Sequence, residues 1–150
     1  MQTVVLAVSA GAGILVIMAR GKQEGRRATV DLIVDQNRNE KLSNARKKIR
    51  EMHEHNESNY ARFLQDPDSK EYDAIMMALN TYEFVASGIR SNAFNEDVYK
   101  RLRYSSVIRD WESFKGFVAE FRNQKKITSF YQDFEWLYQR WKKHPLKTDS

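Results

Sequence analysis

Glu83 is the residue whose setting in the sequence most suggests chemistry. It follows Tyr82 in an apolar helical pattern, and a helical wheel places it near Asn80. A buried carboxylate must pair with a cation or be protonated, because an isolated charge is costly to bury. We therefore expect Glu83 to pair with Arg109 or Arg122 on a neighbouring helix. Asn80, Glu83, Arg109 and Arg122 are predicted to be structural polar residues.

A catalytic interpretation of the same residues stays open as the alternative. Glu83 would then act as a general acid or base with a shifted pKa. The sequence offers it no recognisable second carboxylate or nucleophile, and an active site needs such a partner. We predict no catalytic residue and no cofactor.

The only metal-like cluster is the stretch from His53 to Glu57. His53 and Glu57 are four residues apart and share a helix face, but His53 and His55 point about 200° apart on a helix. A zinc site needs three or four converging ligands, so no metal is predicted. Cysteine is absent, which excludes disulfides and thiolate chemistry.

The charge distribution bears on nucleic-acid binding. The net charge is +5, and the cations of residues 46–50 form a basic stretch. Acidic residues interrupt this stretch, and the aromatic residues follow core patterns instead of the cations. This distribution argues against nucleic acid as a partner, and nucleic-acid binding is kept as a third hypothesis.

Residues 2–19 contain no charged side chain and read QTVVLAVSAGAGILVIMA. As a helix they would span roughly 27 Å, close to the thickness of a hydrocarbon core. A cleaved signal peptide normally has basic residues before its apolar run, and none occurs here. We expect an uncleaved transmembrane anchor at 2–19, with a signal peptide and a buried soluble helix as alternatives.

Basic residues follow this segment and give it a direction. Arg20, Lys22, Arg26 and Arg27 stand against Glu24 alone. The positive-inside rule then places the C-terminal part in the cytoplasm and the N-terminus outside. Residues 20–27 are interpreted as a juxtamembrane segment whose cations face lipid headgroups. The expected location is the inner membrane of a bacterium, with a single pass.

Small residues in the anchor have the spacing of a helix-packing face. Ala7 and Gly11 lie four residues apart, and so do Ser9 and Gly13. Such spacing lets two helices approach closely, so these four residues are candidates for self-association.

Residues 28–143 are expected to form an all-α domain, a bundle of about four helices, followed by a polar tail at 144–150. The first helix has an expected break near Asn37–Asn39, and a second begins at Pro67 with Asp66 as its cap. It closes near Gly88 and Asn92 in the left-handed conformation.

Two further helices are expected in the second half of the chain. One opens at Asn95-Glu96-Asp97, and Thr128 or Ser129 caps the last, which ends at Pro145. The apolar stripe of the first of these is regular: Val98, Leu102, Ser105, Ile108, Trp111, Phe114, Val118, Phe121.

Several short stretches together resemble a known family. They are Arg26-Arg27-Ala28-Thr29, Leu79 to Glu83, Ala86 to Ile89, Asn95-Glu96-Asp97, Trp111-Glu112, Phe117-Val118 and Arg122. The chain resembles the bacterial and phage-encoded domain of unknown function numbered four-seven-six-zero. The resemblance implies a short membrane anchor, a helical domain and an accessory role at the inner membrane. The sequence departs from that pattern at Asn92 or Ala93, where many relatives have a glycine.

The leading functional hypothesis is a non-enzymatic, membrane-tethered interaction module. Its partners would be membrane lipids and either another membrane protein or a second copy. Superinfection exclusion, or another interference between phage and host, is one concrete form. The alternative is a membrane-bound enzyme or toxin effector that uses Glu83 with Arg109 and Arg122.

Overall fold

The computed structural model describes the backbone of residues 2–147 and the side chains of residues 18–147. Within these residues the chain is all-α and has no strand, as predicted. The α-helices are α1 (Gln2–Arg38), α2 (Glu40–Glu54), α3 (Lys70–Arg90), α4 (Glu96–Lys125) and α5 (Gln132–Lys143), and a 3-10 helix spans Tyr60–Gln65.

The break between α1 and α2 falls where the sequence predicts it. Asn39 takes an extended conformation, and its side chain accepts a hydrogen bond from the Leu42 N–H. It therefore caps α2. The predicted segment boundaries at residues 19 and 27 both fall inside α1, so the stretches predicted as anchor, basic segment and start of the domain share one helix.

Two of the predicted helix caps are wrong. Ser69, not Asp66, caps α3, and Pro67 lies before the helix, because the 3-10 helix and its turn occupy the preceding residues. The last helix begins at Gln132, after Tyr131 in the left-handed conformation, and neither Thr128 nor Ser129 caps it.

The turn between α3 and α4 confirms Asn92 as a left-handed residue, with φ of 62°. Gly88 has no positive φ and serves packing instead, since a Cβ built on it would lie 2.1 Å from a ring carbon of Phe94. Asn95 caps α4 as predicted, accepting from the Val98 N–H.

The core lies between α2, α3, α4 and α5, with the 3-10 helix covering α4. The C-terminal half of the predicted α4 stripe is confirmed, since Trp111, Phe114, Val118 and Phe121 are buried. The N-terminal half is wrong at Leu102, which is 59% exposed. Tyr99 and Val107 supply the buried face there instead.

Candidate functional site

Glu83 binds the start of α5. Its carboxylate accepts hydrogen bonds from the backbone N–H groups of Phe134 at 2.8 Å and Asp133 at 3.3 Å. The first N–H groups of a helix have no partner within the helix, and the helix dipole favours a negative charge there. Glu83 therefore supplies, from α3, the cap that α5 lacks in its own sequence.

The predicted pairing of Glu83 with Arg109 or Arg122 is wrong. Arg122 forms an ion pair with Glu135 at 2.8 Å and donates to the carbonyl oxygen of Phe130. Arg109 pairs with its neighbour Asp110. Both arginines bond to other acceptors, and the backbone of α5 satisfies Glu83.

The surroundings of Glu83 set its proton affinity. Burial raises the pKa of Glu83, while the N–H groups of Phe134 and Asp133 oppose the rise, and the charge of Asp133 adds to it. Asn80, one turn earlier on α3, accepts a hydrogen bond from the Tyr131 hydroxyl at 3.1 Å. Asn80 and Glu83 together fix the left-handed turn that begins α5.

Asp110 is the buried carboxylate that sequence reasoning overlooked. It is 4% exposed and lies on α4 beside Trp111. Its oxygens accept from the Tyr82 hydroxyl at 2.7 Å and from Arg109 at 3.0 Å, and they lie 3.2 Å from Nε2 of His53. Three helices thus meet at one carboxylate, so Asp110 is the polar centre of the bundle.

A hydrogen-bonded chain extends from Asp110 through His53. Nδ1 of His53 lies 3.1 Å from the hydroxyl of Tyr60. A histidine between a hydroxyl and a carboxylate is the arrangement that activates nucleophiles in hydrolases. Here the hydroxyl belongs to Tyr60, which is 2% exposed and lies edge-on to the ring of Phe114. Because the Tyr60 side chain is buried in this packing, we interpret this chain of bonds as structural.

Tyr82 is held in its protonated form by the same centre. Burial and the carboxylate of Asp110 raise the pKa of Tyr82 well above its ordinary value, so the hydroxyl donates a proton to the bond. The ring of Tyr82 stacks on Phe134, the first buried residue of α5. Asp110 and Glu83 are therefore linked through adjacent residues of α3.

The suggested metal cluster is divided between different partners. His53 faces Asp110 and Tyr60, whereas Glu57 pairs with Arg62. Nδ1 of His55 lies 2.8 Å from the carbonyl oxygen of Glu51. In the part of the chain that the structure describes, no group of three His, Asp or Glu side chains is arranged to hold a metal ion.

A second polar contact holds α1 to α2 and α4. Gln36 is 6% exposed and accepts from the Arg46 guanidinium at 3.0 Å, while Arg103 donates to Asn37 at 2.8 Å. Burial lowers the pKa of Arg46, and nearby Arg103 adds to the effect. Burial raises the pKa of Tyr99 to about 12. The end of α1 is thus locked onto the bundle by polar side chains.

The entry of α1 into the domain is fixed by Thr29. Its fully buried hydroxyl donates to the carbonyl oxygen of Gly25 at 2.7 Å and accepts from the Asn95 N–H at 2.7 Å. Gly25 lies against the backbone of Asn92 and Ala93, with room there for a Cβ. Two separate family-like stretches, one ending at Thr29 and one beginning at Asn95, therefore meet in space.

The predicted lipid-facing cations lie just before this junction. Arg20, Lys22, Arg26 and Arg27 are all exposed on α1. The candidate anchor-packing residues Ala7, Ser9, Gly11 and Gly13 lie outside the residues whose side chains are described. Over the described residues, no helix reaches the length and apolar character that crossing a membrane requires.

A groove of about 800 Å³ runs between α2 and α3. Lysines border it and the methionines of α3 form its apolar floor. Its lining includes Lys41, Lys47, Lys48, Lys70, Met76 and Met77. Lys48 is engaged with Glu71 at 2.8 Å across one end. Of the residues singled out in the sequence, Asn80 lines this groove.

Comparison with protein families decides the relationship. The model of the family described as "Domain of unknown function (DUF4760)" matches residues 3–141. The chain belongs to this family. A search of curated proteins and a search of solved structures each found no match.

The extent of the DUF4760 match confirms the resemblance seen in the sequence. It begins within α1, ahead of the basic segment, and ends at Trp141 in α5. The family unit therefore includes the apolar run, the junction at Thr29 and the whole bundle. The N-terminal segment is a part of the DUF4760 pattern and not an unrelated extension of it.

Proposed function

We propose that this DUF4760 chain is a non-enzymatic, membrane-tethered interaction module of a bacterial inner membrane. Residues 2–19 cross the membrane with the N-terminus outside, and the bundle lies in the cytoplasm. The observation that carries the proposal is the continuity of α1. This single helix begins with a segment that has no charged side chain and continues with exposed basic residues. It then reaches Thr29, which is hydrogen-bonded to the bundle.

The continuity of helix α1 matters because it would fix both the position of the bundle at the membrane and its orientation. A flexible linker would let the bundle tumble beneath the membrane, whereas a helix bonded through Thr29 and Gln36 holds one face toward it. Tethering also raises the local concentration of the bundle for partners in the same membrane. A second copy joined through Ala7, Gly11, Ser9 and Gly13 is the partner that the small residues favour.

Superinfection exclusion, or another interference between phage and host, is the biological form that we favour. It rests on the resemblance to phage-encoded relatives and on a bundle that offers surfaces for contact. Expression of the chain in a sensitive host should lower the efficiency of phage plating. The same should not hold for a chain that cannot enter the membrane.

The contacts of Glu83 do not favour the enzyme alternative. It required Glu83 to act with Arg109 or Arg122, and the three side chains bond to different partners. The described hydrogen bonds of Glu83 go to the backbone of α5, where a structural role accounts for its position.

Membrane insertion is tested by alkaline extraction of membranes from cells that express the full chain. The wild-type chain should stay in the membrane pellet. The double variant Ala10→Arg, Ile14→Arg should be released, since one arginine near the bilayer centre costs about 3 kcal/mol. Val34→Arg is the matched control, because Val34 lies on the same helix and is 39% exposed within the domain. Release of the wild-type chain would end the proposal.

Orientation is tested separately by cysteine labelling, because the chain has no cysteine of its own. Gln2→Cys should react with an impermeant thiol reagent added to intact spheroplasts, and Ser150→Cys should react only after lysis. The reverse result would contradict the proposed topology while leaving the anchor in place.

A further inference from the structure

The two ends of the bundle differ sharply in charge. Contacts between Thr29 and Asn95 and between Arg140 and Glu96 bring residues 18–31, 87–103 and 136–147 to the end where α1 enters, here called the basic end. Residues 48–75 and 113–130 form the opposite end, where Lys48 meets Glu71 and Tyr60 meets Phe114. Glu112, which contacts Tyr138 and Lys142, lies between the two ends.

With Asp133, the ion-pair partner of Arg90, included, the basic end carries twelve Lys and Arg against five Asp and Glu, whereas the opposite end carries eight against eight. The excess of cations at the basic end is larger than the net charge of the whole chain, which is +5, so the rest of the chain is slightly acidic.

Most of this charge lies outside the juxtamembrane segment. Residues 87–103 and 136–147 contribute eight of the twelve cations from parts of the chain far apart in sequence. Arg90 and Arg140 form ion pairs with Asp133 and Glu96. Arg101 and Lys143 are exposed and form no ion pair within the residues that the structure describes. Folding has therefore gathered cations that the sequence keeps separate.

The geometry of α1 sets the distance of this end from the hydrocarbon. Gly25, which touches the α3–α4 turn, is six residues after Ala19. At 1.5 Å per residue this is about 9 Å along the helix, comparable with a headgroup layer of roughly 5–8 Å. The turn at residues 91–95 therefore lies at the level of the lipid headgroups if the anchor ends at Ala19.

We infer that the basic end is a docking surface for anionic lipid headgroups, which holds the bundle against the membrane from which α1 emerges. The inference rests on the proposed anchor and extends the lipid contact from residues 20–27 to Arg101 on α4 and Lys143 on α5. Each cation near an anionic surface strengthens the attraction about fivefold. The balanced opposite end, about 40 Å away along α4, is left facing the cytoplasm.

The test uses the full chain in nanodiscs of neutral lipid or of neutral lipid with phosphatidylglycerol. A fluorescent thiol label is placed at Ser91→Cys in the basic end, or at Asn123→Cys near the far end of α4, and headgroup-labelled nitroxide lipid quenches it. The Ser91 label should be quenched more strongly in anionic discs than in neutral discs, and this difference should disappear at high salt. The Asn123 label should stay unquenched throughout.

A charge reversal supplies the second arm. Arg101→Glu with Lys143→Glu should lower the ratio of docked to undocked bundle by more than about 25-fold. Arg50→Glu with Lys125→Glu, exposed positions of the opposite end, makes the same change in net charge and should leave quenching unaltered. Equal quenching at Ser91 and Asn123, or equal effects of both reversals, would overturn the inference.

The remaining outcomes separate the inference from the anchor on which it rests. Failure of the chain to co-purify with any nanodisc overturns the anchor and the docking surface with it. Co-purification without quenching at Ser91 overturns the docking surface alone. Salt-sensitive binding of a DNA or RNA duplex that is stronger than lipid docking, and lost in the Arg101 and Lys143 variant, would reassign the surface to nucleic acid.

Discussion

Asp110 and Glu83 are two carboxylates that the bundle satisfies in opposite ways. Asp110 is 4% exposed and receives its hydrogen bonds from side chains of other residues, Tyr82, Arg109 and His53. Glu83 is half-buried and receives its bonds from the backbone of α5. Asp110 holds helices together through side-chain hydrogen bonds, whereas Glu83 replaces a missing helix cap.

The difference predicts unequal consequences when each is removed. If Asp110 is removed, side chains from three helices lose their hydrogen-bond acceptor together. Buried polar groups without partners are strongly destabilising. Backbone N–H groups at the start of a helix near the surface can form hydrogen bonds with water instead. The centre at Asp110 should therefore contribute more to stability than the cap at Glu83.

Asp110→Ala is expected to have the largest effect. It leaves the buried Tyr82 hydroxyl without an acceptor, His53 without its hydrogen-bond partner and Arg109 without its ion-pair partner, so the free energy of unfolding should fall by about 3 kcal/mol. Urea denaturation followed by circular dichroism measures this. Asp31→Ala, at an exposed position of α1, is the control and should change stability by less than about 0.5 kcal/mol. Equal effects at the two positions would remove Asp110 from its central role.

Tyr82→Phe sharpens the comparison by removing one donor from the centre while keeping the ring stacked on Phe134. A hydrogen bond to a buried carboxylate contributes about 2 kcal/mol, and that loss is expected here. Tyr138→Phe is the matched control, because the Tyr138 hydroxyl donates to Glu112, a carboxylate at the surface. The double variant of Tyr82→Phe with Asp110→Ala should lose less than the sum of the single variants, since the residues are in contact.

The fold class followed from the sequence because apolar residues at helical spacing, few prolines and polar caps agree over long stretches. Asn95 caps α4 and the break falls at Asn39, as local chemistry predicts. The pattern failed at Leu102. The regular stripe predicted that this residue is buried, but the N-terminal part of α4 buries Tyr99 and Val107 instead. Periodicity identifies a helix, but the neighbouring helices decide which face is buried.

The candidate site was less predictable because its members are distant in sequence. Glu83 was recognised as an unusual carboxylate, yet its partners at residues 133 and 134 are backbone groups that no sequence pattern identifies. Asp110 was not singled out, although it lies beside Trp111 in the apolar pattern of α4. The steps of three and four from Val107 through Asp110 to Phe114 were the available signal that it faces inward.

Glu83→Ala tests the weaker side of the comparison. Loss of both carboxylate oxygens should cost about 1 kcal/mol, the usual effect of losing a helix cap. Hydrogen exchange should accelerate at the N–H groups of Asp133 and Phe134 more than in α2 or α4. Glu54→Ala, at an exposed position near the end of α2, serves as the control. A loss that matches Asp110→Ala would show that the two carboxylates are equivalent, against the comparison.

The pH dependence of stability separates Glu83 from a third carboxylate, Glu96. The pKa of Glu83 is raised above 4.5 by burial, so in the window just above that value the folded chain binds more protons than the unfolded chain. Its contribution to stability therefore falls as the pH rises through the raised pKa. The Glu83→Gln variant should not show this loss of stability. Its urea midpoint should therefore change less between pH 4.5 and 6.5 than that of the wild-type chain.

Glu96 should behave in the opposite way. Burial alone would raise the pKa of Glu96, but hydrogen bonds from Arg140 and Trp141 outweigh it and the pKa is lowered below 4.5. The folded chain then binds fewer protons, and the stability that Glu96 contributes is lost as the pH falls through the lowered pKa. In the Glu96→Gln variant the free energy of unfolding should depend less on pH below 4.5, and its pH dependence above 4.5 should be unchanged. If both glutamine variants altered the same side, burial and pairing would not be what distinguishes the two sites.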